Sequence, residues 1–496
     1  MNPSSSLLEL NTFAWLREKR REAGTAISLD EVPLREWAQL RKQGMDFVWL
    51  MGVWKRSPRA RRLALTHPDL IKAYDALLPD WSPEDISGSP YAVYAYEADP
   101  FLGAQAGLLS RVRESLREAG MRLILDFVPN HLALDHPWTL EDPGLFLTPK
   151  PSILREHPEW FFQTEKGTWL AHGRDPYFFP WTDTVQVNFF SPRLRKKMTE
   201  ELLKIASCCD GVRCDMAMLG LNSVFSKVWE GAASSPAPSL EFWKAVIPAV
   251  KDRYPDFIFM AEVYWDLERP LIEAGFDFVY DKVFYDRLRS GDAVSVREHL
   301  RSQKGIEERM LRFIENHDEA RAASAFPGPL AFSAALAAAM QPGIRFFHQG
   351  QAEGRTQHYP VQLGRWPDFQ GDPASESFYR MLGREVQGAV FRKGFWNLPE
   401  ARPAWEGDVT WRSLFSTAWH WGRDWRLAVV NLSQTRARGR IPWPFAPAGG
   451  EKTFLKDLMT GSLFERSGQE LRAEGLFIDL GPGEAHFFRS FYGERF

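Results

Sequence analysis

In four short segments of the sequence, an apolar stretch is followed by one or more acidic side chains. They read Asp126-Phe-Val-Pro-Asn130-His131, Gly211-Val-Arg213-Cys-Asp215, Met260-Ala-Glu262 and Glu315-Asn-His317-Asp318. A single Asp or His in such a place is more often a cap or a loop hydrogen-bonder. Four such segments in one chain predict a shared acid–base site. Cleavage of a glycosidic bond is chemistry that needs two carboxyl groups, one ionised and one protonated.

The surroundings of Asp215 and Glu262 predict different roles for the two carboxyl groups. Arg213 lies two residues before Asp215 on a strand, so both side chains point the same way and the arginine favours the ionised acid. Glu262 follows an apolar run, and partial desolvation there would raise its pKa. We therefore predict that Asp215 is the nucleophile and Glu262 the general acid/base. Asp126 is predicted to be a structural partner of Arg213 or of the strand ends.

Eight apolar runs, each followed by a helical pattern, supply the elements that must position these residues. A parallel sheet covered on both faces is the usual result of such alternation, and eight units predict a (β/α)8 barrel with its site at the carboxyl ends of the strands. No glycine-rich phosphate turn follows the first strand, which disfavours an open doubly wound sheet. The predicted strands are Leu7–Leu16, Asp46–Val53, Arg122–Val128, Gly211–Cys214, Phe257–Val263, Phe276–Tyr280, Met310–Ile314 and Gly343–Phe347. The predicted helices include Leu34–Lys42, Leu102–Ala119, Pro192–Ala206 and Glu319–Met340.

Two regions depart from this alternation and predict additional domains. The stretch after the third strand is rich in Pro, Trp and Phe with weak periodicity, and from Gly394 onward short alternating runs such as Asp424–Val430 and Ala485–Arg489 predict antiparallel strands. We predict a catalytic barrel at 1–131 and 191–393, an inserted loop-rich domain at 132–190, and a C-terminal β-sandwich domain at 394–496.

Bulk composition disfavours several classes of partner. The formal net charge is −3 at pH 7, so there is no basic excess for nucleic acid or an anionic membrane. No apolar run approaches the roughly 18 residues that a membrane span needs. No basic-then-apolar leader is visible at the N-terminus, so we expect a cytoplasmic protein. The sequence leaves the oligomeric state open.

The four acidic segments, in this order and at these intervals, resemble the four signature regions of the α-amylase superfamily, glycoside hydrolase family 13. Two further segments, Thr182–Asn188 and Gln341–Gly350, are similar to that family in character. The resemblance implies a retaining mechanism, with Asp318 as a third acid that binds sugar hydroxyls.

The same resemblance implies a set of substrate-binding residues. His131 and His317 would hydrogen-bond the sugar, and Arg213 would hold the nucleophile. Tyr91 is similar to the family's aromatic platform under that sugar, with plain packing as the alternative. Arg365 is a further candidate for the sugar-binding site, with a surface salt bridge as the alternative.

Two departures from the family pattern bear on substrate and metal. Many starch-degrading relatives carry a Lys-His pair shortly after the nucleophile, whereas this chain reads Asp215-Met216-Ala-Met-Leu219, which disfavours a long-polymer endo-amylase. Asn130 occupies a position that helps to bind Ca²⁺ in calcium-dependent relatives, but no run of oxygen ligands has calcium-loop spacing. No cofactor is predicted, and the sequence leaves calcium dependence open.

The predicted function is therefore a retaining α-glycoside hydrolase that acts on small α-glucosides or α-glucooligosaccharides through a glycosyl-enzyme intermediate. A transglycosylase, glucanotransferase or sugar phosphorylase would use the same three acids and is the alternative. A non-catalytic barrel that only binds is the least favoured reading, because all three acids are present.

Overall fold

The computed structural model describes residues 4–232, 236–443 and 452–492. Eight parallel strands close into a barrel, in which each strand pairs with the next along the chain and the eighth pairs with the first. The predicted barrel is thereby confirmed. Its strands are Ser6–Asn11, Phe47–Met51, Arg122–Phe127, Gly211–Cys214, Ile258–Ala261, Phe278–Tyr280, Met310–Arg312 and Ile344–His348.

Helices follow the strands and cover the outside of the barrel. The longer ones are Thr12–Ala23, Leu34–Lys42, Leu108–Glu118, Pro192–Cys208, Phe242–Lys251, Lys282–Ser290, Ala293–Ser302, Leu330–Ala339 and Pro373–Val386. Pro68–Leu77 also has ten residues. Shorter helices are Pro58–Ala64, Asn222–Val228, Glu268–Glu273, Ala322–Ala325 and Ala389–Lys393, with Trp138–Glu141 and Pro151–Glu156 in the inserted segment.

The first strand is shorter than predicted, because a helix cap interrupts the apolar run. The Asn11 side chain accepts a hydrogen bond from the Ala14 main-chain N–H and so begins the helix Thr12–Ala23. That helix ends at Gly24, whose φ of 66° is left-handed. The prediction of a strand over Leu7–Leu16 was therefore wrong beyond Asn11.

Two predicted helices also differ in extent, each because of Pro or Gly. The pattern Glu319–Met340 forms two helices, Ala322–Ala325 and Leu330–Ala339, with Pro-Gly-Pro between them. The helix predicted from Leu102 begins at Leu108, after a glycine in the left-handed conformation at Gly107.

The segment after the third strand and the C-terminal part of the chain form separate small sheets. Strand His131–Ala133 pairs antiparallel with Thr184–Gln186, which joins the two ends of the inserted segment. Phe161–Gln163 pairs with Trp169–Ala171, and Trp54–Arg56 pairs with Val93–Ala98 after the second barrel strand.

The C-terminal domain is antiparallel, as predicted. Its six-stranded sheet has the order Phe395–Asn397, Leu414–Trp421, Asp424–Asn431, Ala485–Tyr492, Lys452–Asp457, Leu463–Ser467. A two-stranded sheet of Ala437–Ile441 and Leu476–Leu480 shares an apolar core with it. Residues 444–451 and 493–496 of the predicted domain lie outside the described residues. The boundaries at 131/132, 190/191 and 393/394 stay a division that we propose.

Within the part of the chain that the structure describes, no helix combines the length and the apolar character needed to cross a membrane. The cytoplasmic location stays a prediction.

Strand register builds a layer of polar side chains inside the barrel near the carboxyl ends of its strands. Glu9 is level with Trp49 on one neighbouring strand and with His348 on the other. Arg213 is level with Asp126. All five side chains are buried, so each must find its partner within the barrel.

Candidate active site

Two of the predicted acids, Asp215 and Glu262, both contact the guanidinium group of Arg213. Arg213 in the fourth strand donates from Nη1 to Asp215 Oδ1 at 2.6 Å, and its Nη2 lies 2.8 Å from Glu262 Oε2. The three side chains are all buried. Asp215 and Glu262 are the residues that directly follow adjacent parallel strands, so the topology itself brings the two carboxyl groups together.

Burial raises the pKa of Glu262 to about 7, with Arg213 opposing the rise and Asp215 and Asp318 adding to it. The Met216 main-chain N–H donates to Glu262 Oε2 at 2.6 Å, and the Tyr264 hydroxyl donates to Oε1 at 2.8 Å. A carboxyl group with a pKa near the working pH can give a proton and take one back, which is what a general acid/base requires.

Asp215 is held differently, by a direct hydrogen bond from a cation. Burial raises its pKa, but the Arg213 guanidinium opposes that rise through both its charge and its hydrogen bond. By contrast, Arg213 Nη2 makes no hydrogen bond despite its short distance to Glu262. The aligned bond therefore favours the ionised form of Asp215 over that of Glu262, as a nucleophile and an acid require.

His131 lies beside the nucleophile candidate. Its Nε2 is 4.0 Å from Asp215 Oδ2, and burial lowers the pKa of His131 to about 3. The imidazole is therefore neutral at neutral pH. It adds hydrogen-bonding capacity next to Asp215 without adding a charge.

The backbone adopts left-handed conformations shortly after both acids. Met216 follows Asp215 with φ 44°, and Trp265 and Asp266 follow Glu262 with φ 66° and 58°. These are the only left-handed residues other than glycine in the described ranges. Such conformations cost about 1–3 kcal/mol each and are typical of functional sites. At Met216 the same backbone directs the N–H that binds Glu262.

Asp318 and His317 follow the seventh strand and form a charged pair. His317 Nε2 lies 3.1 Å from Asp318 Oδ2, and His317 Nδ1 lies 2.5 Å from Glu9 Oε1. Burial acts to lower the pKa of His317, but Asp318 and Glu9 together hold it well above its usual range. Desolvation acts to raise the pKa of Asp318, but His317 brings it down to about 2. Asp318 is half-exposed, so the ionised carboxylate is open to a ligand.

Tyr91 reaches this group from the segment between the second and third strands. Its hydroxyl is 2.7 Å from His317 Nε2, and its ring stacks on the imidazole with centroids 5.4 Å apart. The Arg213 guanidinium lies 5.3 Å from the same ring centroid. The structure thus brings Tyr91 to the acids, and its role as a sugar platform stays a prediction.

Arg365 is not part of this cluster. Its Nε and Nη2 both donate to Asp85 at 2.9 Å, and its Nη1 donates to Asp80 at 3.2 Å. The contacts favour the surface salt bridge over the sugar-binding role, because the guanidinium donors already have carboxylate and main-chain partners.

Asp126 contacts the end of the second strand, as predicted. Its carboxylate accepts from the Trp49 indole at 3.0 Å and from the Gly52 N–H at 2.7 Å. These bonds tie two neighbouring strands together below the site.

Sequence reasoning missed Glu9 and the hydrogen bond from Tyr264. Glu9 is an acidic residue between the leucines of the first strand, and a buried acid on an interior strand position signals a buried partner. Tyr264 lies two residues beyond Glu262, and that spacing was the available signal for a shared direction.

At the position considered for calcium, Gln186 Nε2 donates to Asn130 Oδ1 at 3.0 Å, so this oxygen already has a hydrogen-bond partner. Across residues 4–232, 236–443 and 452–492, no group of three or more His, Cys, Asp or Glu side chains is arranged to hold a metal ion.

A closed (β/α)8 barrel with three acids at the carboxyl ends of its strands defines a carboxylate-based active-site architecture. The model of the α-amylase catalytic domain matches residues 40–386, and the chain belongs to that family of enzymes. It is 28% identical over 294 residues to the α-amylase MalA of Haloarcula japonica. The matched region covers 57% of this chain and 38% of that protein.

Two further similarities place the chain among diverse relatives. It is 28% identical over 285 residues to the α-1,4-glucan:maltose-1-phosphate maltosyltransferase of Rhodospirillum rubrum, covering 56% of this chain and 35% of that one. The chain therefore spans well under half the length of both these relatives. The fold is similar to that of a noncanonic maltogenic α-amylase AmyB from Thermotoga neapolitana, with a TM-score of 0.68, 20% identity and full coverage of both chains.

Proposed function

We propose that this chain is a retaining α-glycoside hydrolase acting on small α-glucosides or α-glucooligosaccharides. The observation that supports it most strongly is the pair of carboxyl groups on Arg213, in which Asp215 takes the aligned hydrogen bond and Glu262 has a pKa of about 7. One acid is thereby suited to attack and the other to proton transfer.

The reaction is a double displacement. Glu262 protonates the glycosidic oxygen while Asp215 attacks the anomeric carbon, so the leaving group departs as an alcohol and a glycosyl ester forms. Glu262 then takes a proton from water, which releases the sugar with net retention and regenerates both acids. This path requires the two carboxyl groups to be about 5–5.5 Å apart.

The other predicted residues, except Arg365, bind the sugar in this proposal. Asp318 accepts hydrogen bonds from sugar hydroxyls, and His317 and His131 flank the same ring. Tyr91 packs under it, and Arg213 keeps Asp215 ionised and oriented.

The variant Asp215→Asn tests the assignment, because it keeps the shape of the side chain and removes the nucleophilic charge. We expect it to abolish turnover of 4-nitrophenyl α-glucoside and maltooligosaccharides and to leave the fold intact, as measured by circular dichroism. As a control, Asp142→Asn in the inserted segment changes an ion pair with the largely exposed Arg193 and should leave turnover unaffected. The anomer first released by the parent enzyme, followed by NMR, should be α. Substantial activity of Asp215→Asn, or release of the β anomer, would contradict the proposal.

Transfer to another acceptor is the second candidate, and the maltosyltransferase among the relatives favours it. The same acids serve both reactions, because only the acceptor in the second step differs. Product analysis with and without inorganic phosphate or added maltose separates the two. Predominant transfer at low acceptor concentration would assign the chain as a transglycosylase or phosphorylase.

A further inference from the structure

A run of exposed aromatic side chains projects from the inserted segment. Tyr177, Phe178 and Phe179 are 67%, 75% and 88% exposed. Together with Trp265 they form what we call the aromatic rim. Three consecutive aromatic side chains in water are costly, and such patches commonly mark a binding surface.

The loop that carries these rings has a defined conformation. The buried Asp175 carboxylate accepts hydrogen bonds from the main-chain N–H groups of Tyr177 at 2.6 Å and Phe178 at 2.9 Å. Prolines flank the run on both sides, and the Trp181 N–H donates to Gly173 O at 2.8 Å. The rings are thus displayed by hydrogen bonds that fix both ends of the loop.

One end of the loop lies beside the nucleophile. The Trp181 ring contacts the His131 ring, with centroids 5.0 Å apart, and His131 is the residue whose Nε2 lies 4.0 Å from Asp215. The other end lies beside the acid/base. Tyr177 packs edge-on against Trp265 at 5.3 Å, and Trp265 follows Glu262 by three residues. The segment 177–181 therefore runs from Trp265, three residues after Glu262, to His131, beside Asp215.

The chemistry of this side is apolar. Among the four side chains of the rim, the polar groups are one tyrosine hydroxyl and one indole N–H. Met216, which directly follows the nucleophile and is partly exposed, is apolar as well, whereas Ala217, Met218 and Leu219 are buried in the core. A sugar leaving group needs several polar partners for its hydroxyls, whereas an alkyl or aryl group needs only apolar surface.

We propose that the aromatic rim binds an apolar leaving group, so that the preferred substrates are α-glucosides of alkyl or aryl alcohols. This inference rests on the proposed function, in which Glu262 gives its proton to the leaving oxygen and therefore faces the leaving group. In the reaction, the bond from the anomeric carbon to the alcohol oxygen breaks, the Asp215 ester forms, and the alcohol leaves with the Glu262 proton. Water then hydrolyses the ester.

The test uses methyl, butyl and hexyl α-glucosides, because their leaving alcohols have similar acidity and differ mainly in apolar surface. For the parent enzyme we expect kcat/KM to rise at least tenfold from methyl to hexyl, the effect of burying about two methylene groups. The double variant Phe178→Ser, Phe179→Ser should lose that rise and leave methyl α-glucoside and maltose within about twofold. Phe395→Ser, at a similarly exposed ring of the C-terminal domain, is the matched control and should change nothing.

Three results would overturn the proposal. One is a flat profile from methyl to hexyl in the parent enzyme. Another is an equal loss in the double variant for maltose and the hexyl glucoside, which would assign the rim to a sugar ring. The third is a change of oligomeric state in the double variant, measured by light scattering, which would assign the rim to contact between copies of the chain. Absence of turnover on every glucoside would reject the proposed function itself, and this inference with it.

Discussion

Removal of the Tyr264 hydroxyl should move the pH dependence of catalysis in a defined direction. This hydroxyl donates to Glu262 Oε1 at 2.8 Å, and the bond is stronger when Glu262 is ionised. Tyr264→Phe removes the donor and keeps the ring. The ionised form of Glu262 loses more than the protonated form, so the pKa of Glu262 should rise.

The size of the shift follows from the two hydrogen-bond strengths. A hydrogen bond to a charged group contributes about 1.5–3 kcal/mol and a neutral one about 0.5–1.5 kcal/mol. The difference of about 1–1.5 kcal/mol corresponds to about one pKa unit. Because Glu262 must be protonated to act as the acid, kcat/KM of the parent enzyme should fall as the pH rises through about 7. In Tyr264→Phe the same fall should come about one pH unit higher.

The assay measures kcat/KM between pH 4 and 10 for an alkyl α-glucoside, a substrate whose leaving group needs protonation. Tyr74→Phe is the control, because Tyr74 is a buried tyrosine whose hydroxyl has no hydrogen-bond partner. That variant should keep the alkaline limb of the parent. An unmoved limb in Tyr264→Phe, or one shifted to lower pH, would refute the reasoning that this hydroxyl stabilises the Glu262 carboxylate.

Three further substitutions test the surroundings of the site. Glu9→Gln should lower kcat/KM about ten- to hundredfold, because a charge-assisted hydrogen bond to His317 is lost; an unchanged rate would show that Glu9 does not position the imidazole. Arg365→Ala should leave kcat/KM unchanged and cost about 0–1 kcal/mol in urea unfolding, because Arg365 is partly exposed and the buried Asp85 keeps its ion pair with Arg17; a raised KM would restore its sugar-binding role. In the parent protein the buried Arg312 lies 2.9 Å from Asp281. Asp281→Ala leaves Arg312 without this anionic partner and should cost about 3–5 kcal/mol in the same unfolding assay. A cost below about 1 kcal/mol would contradict that account.

The barrel could be predicted from sequence because its signal is local and repeated. Buried parallel strands read as short apolar runs, and all eight lie within the predicted stretches or overlap them closely. The bounds of predicted elements were wrong where a single capping residue or proline interrupts the hydrophobic pattern. Asn11 caps a helix inside an apolar run, and Pro327 and Pro329 divide a stretch that is otherwise rich in alanine.

The site was predictable where its residues end strands, since parallel topology brings the ends of adjacent strands together. Asp215 and Glu262 are of this kind. The partner of His317 was not predictable, because Glu9 is 308 residues away in the first strand, and only barrel closure brings that strand near the end of the seventh, with the eighth strand between them. Arg365 shows the converse. Its sequence context suggested a sugar-binding role, but nothing local revealed Asp85, 280 residues earlier.

The polar layer inside the barrel ties reactivity to stability. Glu9, Asp126, Asp215 and Glu262 are all buried, and Arg213 is the cation that contacts the last two. Burial of acids with too little positive charge costs folding free energy, and part of that cost is avoided when a group keeps its proton. The pKa values of about 6 for Asp126 and about 7 for Glu262 are the result. The desolvation that would weaken an ordinary core therefore supplies the protonated carboxyl group that the proposed reaction needs, and a second cation placed near Glu262 should stabilise the fold while it removes the acid.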